Sequence, residues 1–454
     1  MSICETGKRI VFLAVLMGAL LVTAASAESK ARIVRLSDVQ GTVQMDRGDG
    51  DGFAKAFVNM PVVEGAKLRT AVDGRAEVEF EDGSVLHIVP NSEVDFTQLV
   101  LSDDGQKLTT VELAQGKVYA NVRSKKSGRF TLNFAHQLVS LTEPAHFRVD
   151  LNSSAAILAV FQGEVQVSGP AGQVEIGKKH SATFDLANKD SYTLAKNFEE
   201  EPYDAWDRQQ SDYHNRYASS GNRGIQSPYA YGMSDLNYYG SYRNCPGYGL
   251  GWQPYFIGAN WSPFQDGGWV WYPGSGYTWV SAYPWGWMPY RYGSWGFAQG
   301  CGWMWQPGYW NTWNVVPQVV NPPHRTPVPV PPVRGHGTVL VGQGLRGNPP
   351  AGPPRRITIT PDSAGLGVPR GSVRHLDRFA KETNGNSRPV VVTTGRPAPV
   401  AAPGSGSTPT TSGGGSQPSV RPSPPPREAP SPRMAPMPSA PPPRMPAPRS
   451  SKPN

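Results

Sequence analysis

GWQPY at 251–255, GWVWYP at 268–273, GWMPY at 286–290 and GWMWQP at 302–307 decide how this chain is read. Their Gly-Trp starts are 17, 18 and 16 residues apart, and a proline follows each first tryptophan, alternately two and four residues on. A second indole comes later in each unit, at Trp261, Trp279, Trp295 and Trp313. Twelve of the thirteen tryptophans lie between Trp252 and Trp313, so apolar ring surface is concentrated here. A unit of this length around a Pro/Gly turn suits strand–turn–strand. Trp269 and Trp271, like Trp303 and Trp305, stand two apart and so share one face of a strand. A single hairpin cannot bury such rings, so the units are predicted to stack or pair around a common core. Glycine beside each first indole leaves room for a neighbouring ring.

Upstream, Lys8 and Arg9 precede an apolar run from Ile10 to Val22, and Ala25-Ser26-Ala27 precedes Glu28. This is the layout of a secretory signal peptide over 1–27, cleaved between Ala27 and Glu28. The run is shorter than the ~20 residues that span a bilayer, and no later stretch is long and apolar enough for a transmembrane helix. The mature chain is therefore expected to be extracytoplasmic: periplasmic, in the outer envelope, or secreted. Cys4 leaves with the peptide. Cys245 and Cys301 remain in an oxidising compartment as a candidate disulfide, the alternative being two thiols that do not meet. Their bond would close a loop worth about 4 kcal/mol in the chain-entropy model.

The chain carries 46 prolines and 50 glycines, with only 17% charged residues, so much of it is not expected to be globular. From Trp313 onward there are 17 Lys and Arg against 4 Asp and Glu, which makes the rest of the chain net acidic despite an overall charge of +8. The basic balance belongs to the tail, and a folded nucleic-acid surface does not follow from it.

Residues 31–195 read as short alternating strands: 76–80, 130–134, 164–167 and 174–176 place apolar side chains at every second position. Asp73-Gly74, Asp82-Gly83, Asp104-Gly105, Gln115-Gly116 and Gln162-Gly163 are read as turns between strands. That pattern predicts an antiparallel β sandwich or roll with one face of each strand buried. The order Gly41-Thr42-Val43, Glu64-Gly65-Ala66-Lys67-Leu68-Arg69-Thr70, Glu81-Asp82-Gly83-Ser84, Pro90-Asn91-Ser92 and Phe161-Gln162-Gly163-Glu164-Val165 resembles the periplasmic FecR domain, the sensor module of ferric-citrate signalling. Pro144-Ala145-His146 stands where that family usually has Gly-Thr before a Phe-x-Val strand. The resemblance implies an extracytoplasmic β module. Members that hold a sigma factor use a cytoplasmic segment, and the short stretch before the apolar run does not supply one, so a part in iron-type transmembrane signalling is the lesser implication.

Glu199-Glu200-Glu201-Pro202 opens a predicted linker helix over 199–218, since proline and acids suit a first turn. Tyr203, Trp206, Gln210, Tyr213 and Tyr217 form its apolar stripe, with Asp207, Arg208, Ser211, Asp212 and Asn215 elsewhere. Residues 229–313 then resemble a Tyr-Gly/Trp repeat domain of unknown function that often follows FecR-like modules; the resemblance lies in Leu236-Asn237-Tyr238-Tyr239-Gly240 and in 285–295. The remainder, 320–454, is Pro/Arg-rich and predicted to be disordered. Within it, 355–392 is read as holding short local order: a strand at Ile357 to Thr360 and a helix from Val373 to Lys381.

No Walker A loop, dinucleotide fingerprint, nucleophile elbow or His-Glu-x-x-His motif is present, so neither an enzyme activity nor a cofactor is expected. His136, His146 and His180 lack ligand spacing, and Asp82, Asp103 and Asp104 are better explained as turn residues than as an acid pair. The reading is a mainly β, non-enzymatic scaffold or interaction module of the cell envelope, its partner an envelope protein or an anionic or glycan polymer. The alternative is a glycan-binding protein using Trp287, Tyr290, Arg291, Tyr292 and Trp295 as a flat platform; against it stands a packed core built from the same rings.

Overall fold

The computed structural model describes residues 31–123, 128–218, 227–323, 327–351, 356–386 and 388–393. The segment read as a signal peptide, with Ala27 and Glu28, and the chain beyond 393 lie outside the described residues. Strands hold 45% of the structure and helices 9%, so the chain is mainly β.

The alternating segment forms two facing sheets. One contains Val43–Asp46, Lys67–Thr70, Glu93–Leu101, Gly128–Phe134, Gln137–Leu141, Glu164–Gly169 and Gly172–Gly177; the other contains Val34–Gln40, Arg75–Glu79, Val85–Ile88, Ala145–Leu151, Ala155–Gln162, His180–Asp185 and Ser191–Lys196. The long strand Lys107–Val122 belongs to both. Its first half pairs with Glu93–Leu101, and its second half with Val85–Ile88 and Ala145–Leu151. Gly116 makes the corner at φ +85°, where a Cβ would come within 2.5 Å of the Asn91 carbonyl oxygen. Gln115-Gly116 is thus a bend within one strand and not the expected turn between two, because positive φ there redirects the chain without reversing it. Having changed sheets, the chain returns beside its own beginning, and Gly128–Phe134 runs parallel to 107–113.

The interior is built as alternation predicts, with Leu36, Val78, Leu86, Val118, Phe147, Val149 and Leu158 fully buried. The expectation of one-sided burial fails on two strands: Arg75–Glu79 is buried at all five positions and Val85–Ile88 at all four. Their outer face is covered by helix α1, Asp204–Tyr217, and by the aromatic segment. Trp206, Gln210 and Tyr213 are buried as the stripe requires, but so are Asp204, Asp207, Ser211 and His214.

Two helices were expected, the linker helix and a short one from Val373 to Lys381, and four are found among the described residues. Besides α1 these are α2 (Met233–Tyr239), α3 (Met288–Arg291) and α4 (Leu376–Asn386). The aromatic segment is therefore not four equal hairpins. Gly251-Trp252, Gly268-Trp269 and Gly302-Trp303 lie on strands, whereas Gly286-Trp287 leads into α3, whose first turn accepts Pro289. Gly240–Cys245, Gly249–Pro254, Gly302–Gln306, Ser294–Ala298 and Val319–Val320 form one sheet, with Cys245 and Cys301 disulfide-bonded at its end (Cα–Cα 6.3 Å). The hairpin of Gly267–Tyr272 with Gly276–Ser281 stands apart from that sheet. Its Val270, Tyr272 and Val280 belong to the sandwich interior, its Trp269 and Trp279 to the aromatic interior. The indoles do share a core: Trp252, Trp261 and Trp295 each lie 4.9–6.3 Å from Trp285, ring centre to ring centre.

The segment expected to be disordered from 320 onward contributes structure well before 355. Thr338–Val341 adds a strand to the hairpin by pairing with 267–270, whose outer edge offers unpaired backbone groups. Further on, Arg356–Ile359 pairs with Val390–Thr393, and α4 starts at Leu376. Among the described residues no helix is long and apolar enough to cross a membrane.

Candidate functional site

The covered outer face of the second sheet carries charge. Alternation puts Glu77 and Glu79 on one side of their strand, with Arg35 and His87 on the strands beside it. On α1, Asp204, Asp207, Ser211 and His214 recur at helical spacing and face the sheet. α2 supplies Asp235, and the turn after the 356–359 strand supplies Arg370.

Apart from Asp204 and Ser211, these groups form one network closed to solvent. Glu77 Oε1 accepts from Ser37 Oγ (2.6 Å), Arg370 Nη1 (2.7 Å) and His214 Nε2 (3.0 Å), while its Oε2 lies 3.0 Å from His87 Nε2. His87 Nδ1 reaches Asp207 Oδ1 at 2.7 Å, and His146 Nε2 lies 2.8 Å from the other oxygen of Asp207. Asp235 Oδ2 receives both Arg35 Nη1 (2.6 Å) and Arg370 Nη2 (2.7 Å), and its Oδ1 accepts from the Tyr213 hydroxyl. Arg35 also bonds Glu79 at 3.1 Å and donates to the Pro284 carbonyl at 2.5 Å. Asn59 accepts from Arg35 and donates to the carbonyls of Ser281 and Tyr283. A second cluster fixes the start of α1: Tyr119 and Arg148 both donate to Asp204 Oδ1, at 2.7 and 2.6 Å.

Burial opposes charge on every member, and the partners decide the outcome. Burial alone would raise the Glu77 carboxyl, but His214, Arg370 and the hydrogen bonds hold it well below the usual carboxylate range. Asp207 is likewise held down to about 2 by His146 and His87 against its burial. His87, which burial would neutralise, is pushed up to about 9 by hydrogen bonds to Asp207 and Glu77. Glu79 goes the other way: burial outweighs His214 and Arg35 and raises its pKa. Glu77, Asp207 and His87 thus carry their charges at neutral pH. A cleft of about 510 Å³ lies along Gly41–Gln44, Lys55, Asp73 and Asn348 and includes none of these residues.

The site residues read from sequence are elsewhere, and all are buried: Trp287 and Arg291 at 0%, Tyr290 at 1%, Tyr292 at 3%, Trp295 at 0%. Arg291 sits between the rings of Trp287 (5.3 Å) and Trp313 (4.7 Å) and donates to the Trp279 carbonyl at 2.6 Å; burial lowers its pKa to about 10. The Tyr290 hydroxyl donates to the Pro263 carbonyl, and the Tyr292 and Tyr231 hydroxyls meet at 2.7 Å. These rings form core and offer no platform. The three sandwich histidines do not converge: His136 pairs with Asp190, His180 with the Lys178 carbonyl, and His146 with Asp207. Among the described residues no cluster of His, Cys, Asp and Glu has a metal-holding arrangement. Asp82 and Asp104 serve their own turns. The ionic network itself was missed. Its signal was the polar stripe at 204, 207, 211 and 214, running beside the aromatic one.

Residues 66–166 match the FecR protein family, and residues 233–333 match a family of unknown function, DUF6600. No curated protein matches the chain. Two crystal structures of a candidate anti-sigma factor from Parabacteroides distasonis are similar at 18% and 17% identity, each with a TM-score of 0.26. The similarity covers 29% of this chain and 59% of that one, so this chain spans little more than half of their length. Glu77, Glu79, His87 and His146 fall in the first matched region and Asp235 in the second, while Arg35 precedes both and Arg370 follows both. The chain therefore carries a FecR domain followed by a DUF6600 domain.

Proposed function

We propose that this protein is a non-enzymatic, extracytoplasmic FecR-domain scaffold of the cell envelope, an interaction module that holds an envelope protein or a surface polymer. One observation carries the reading: the acids and bases of the ionic network are buried together, each with a partner, at the seam where the sandwich, α1, α2 and the Arg370 segment meet. Such a seam serves to fix several segments in one geometry, and rigid presentation of a surface is what a scaffold requires. The basic balance of the chain beyond Trp313 suits an anionic polymer as one contact.

The test is fractionation of cells producing the full-length chain, with crosslinking before lysis. Recovery from the envelope fraction, crosslinked to a reproducible partner, is expected. Recovery from the cytosol, or turnover of a cell-wall or ester substrate by the purified chain, would overturn the proposal.

A further inference from the structure

The aromatic half hides nearly all its rings, and one stands out. Tyr309 is 86% exposed, whereas the next most exposed aromatic among the described residues, Phe297, shows 38%. Tyr309 lies in the loop 307–313 that leaves strand Gly302–Gln306, with Trp310 and Trp313 half-buried beside it. Those two indoles are held from beneath. The Trp310 ring lies 5.3 Å from Tyr292, which stacks on Tyr229 at 5.4 Å, and the Tyr229 hydroxyl donates to the Trp310 carbonyl at 3.3 Å. Trp313 covers the Arg291 guanidinium, and the Asn314 N–H donates to the Arg291 carbonyl at 2.9 Å. A projecting ring therefore stands on a rigid aromatic base.

Charge decides what this surface suits. From Gly293 to Pro323 there is no Lys, Arg, His, Asp or Glu. The exposed polar side chains of the loop are Asn311 and Thr312, with Gln318 just beyond it, and all three are neutral amides or hydroxyls. Nucleic acid and anionic lipid are attracted by Lys and Arg, which this stretch lacks. Fixed aromatic rings give contact area at low entropic cost, and amide and hydroxyl groups give adaptable hydrogen bonding. That combination matches a ligand with apolar C–H faces and many uncharged hydroxyls.

We infer that the loop 307–313 binds neutral oligosaccharide chains, with Tyr309 stacking on a sugar ring and Asn311 and Thr312 bonding its hydroxyls. The site is distinct from the buried rings at 287–295, and it does not depend on the scaffold reading above.

The experiment titrates the full-length chain with an N-acetylglucosamine tetramer and, separately, with cellohexaose, followed by calorimetry and tryptophan fluorescence. Wild type, Tyr309→Phe, Tyr309→Ala and Asn311→Ala are compared. Saturable binding of at least one sugar is expected, insensitive to salt and retained by Tyr309→Phe. Tyr309→Ala should weaken it at least about tenfold, or 1.4 kcal/mol, with the melting temperature unchanged because the ring supports nothing. Absence of binding at millimolar sugar, or equal binding by wild type and Tyr309→Ala, overturns the inference. So does sugar binding that fades as salt is raised. Failure here leaves envelope recovery of the chain, the scaffold test, unaffected.

Discussion

His87 sits between Asp207 and Glu77 at a point closed to water, and its pKa of about 9 lies above the ordinary value near 6.5. A raised pKa means that the fold favours the protonated form. This contribution is fully present below about pH 6.5 and is lost as pH climbs through about 9, on the order of 3 kcal/mol in all. Melting temperature measured from pH 6.5 to 9.5 is expected to fall, and His87→Gln should flatten that slope while lowering stability at neutral pH. Asp207 works on the acid side: its contribution is present above the ordinary aspartate value and is lost as pH falls towards 2. Arg370 joins Glu77 to Asp235 at 2.7 Å on each arm. Arg370→Met leaves two buried carboxylates short of a partner and is expected to destabilise by about 3–5 kcal/mol in chemical denaturation. Loss of less than about 1 kcal/mol would mean that the network relaxes without it.

Two elements are bent or closed by single features. Lys107–Val122 serves both sheets only because Gly116 adopts φ +85° with the Asn91 carbonyl against it. Gly116→Ala forces both a disfavoured φ and a backbone clash, so a loss of at least about 2 kcal/mol is expected; wild-type stability would show that the corner has freedom to shift. The Cys245–Cys301 bond closes a 56-residue separation at the end of the five-stranded aromatic sheet. Replacing both cysteines by serine is expected to remove about 4 kcal/mol, measured as a lower denaturant midpoint. In α1 the aromatic stripe was legible from its spacing. The burial of Asp207, Ser211 and His214 was not, because a polar stripe reads as solvent-facing until a charged sheet face is known to lie opposite.

At the scale of the molecule, the network and the shared hairpin tie the FecR domain to the DUF6600 domain. Tryptophan fluorescence reports almost entirely on the aromatic half, where twelve of thirteen indoles lie, whereas far-UV circular dichroism also follows the sandwich. The two probes are expected to give coincident unfolding curves in wild type, and Glu77→Gln should lower the midpoint of both. Two separated transitions in the wild-type chain would show that the seam does not couple its neighbours. The mainly β class, the alternating interior of the sandwich and a common core of indoles were all written in local periodicity, because period two and clustered rings each allow few ways of being buried. Four features depended on tertiary structure: the covering of Glu77, Glu79 and His87, the strand at Thr338–Val341, the closure of Cys245 on Cys301, and the interior position of Trp287 and Tyr290. Each is set by a partner distant in sequence, and side-chain patterning along a strand reveals which faces differ without revealing what will cover them.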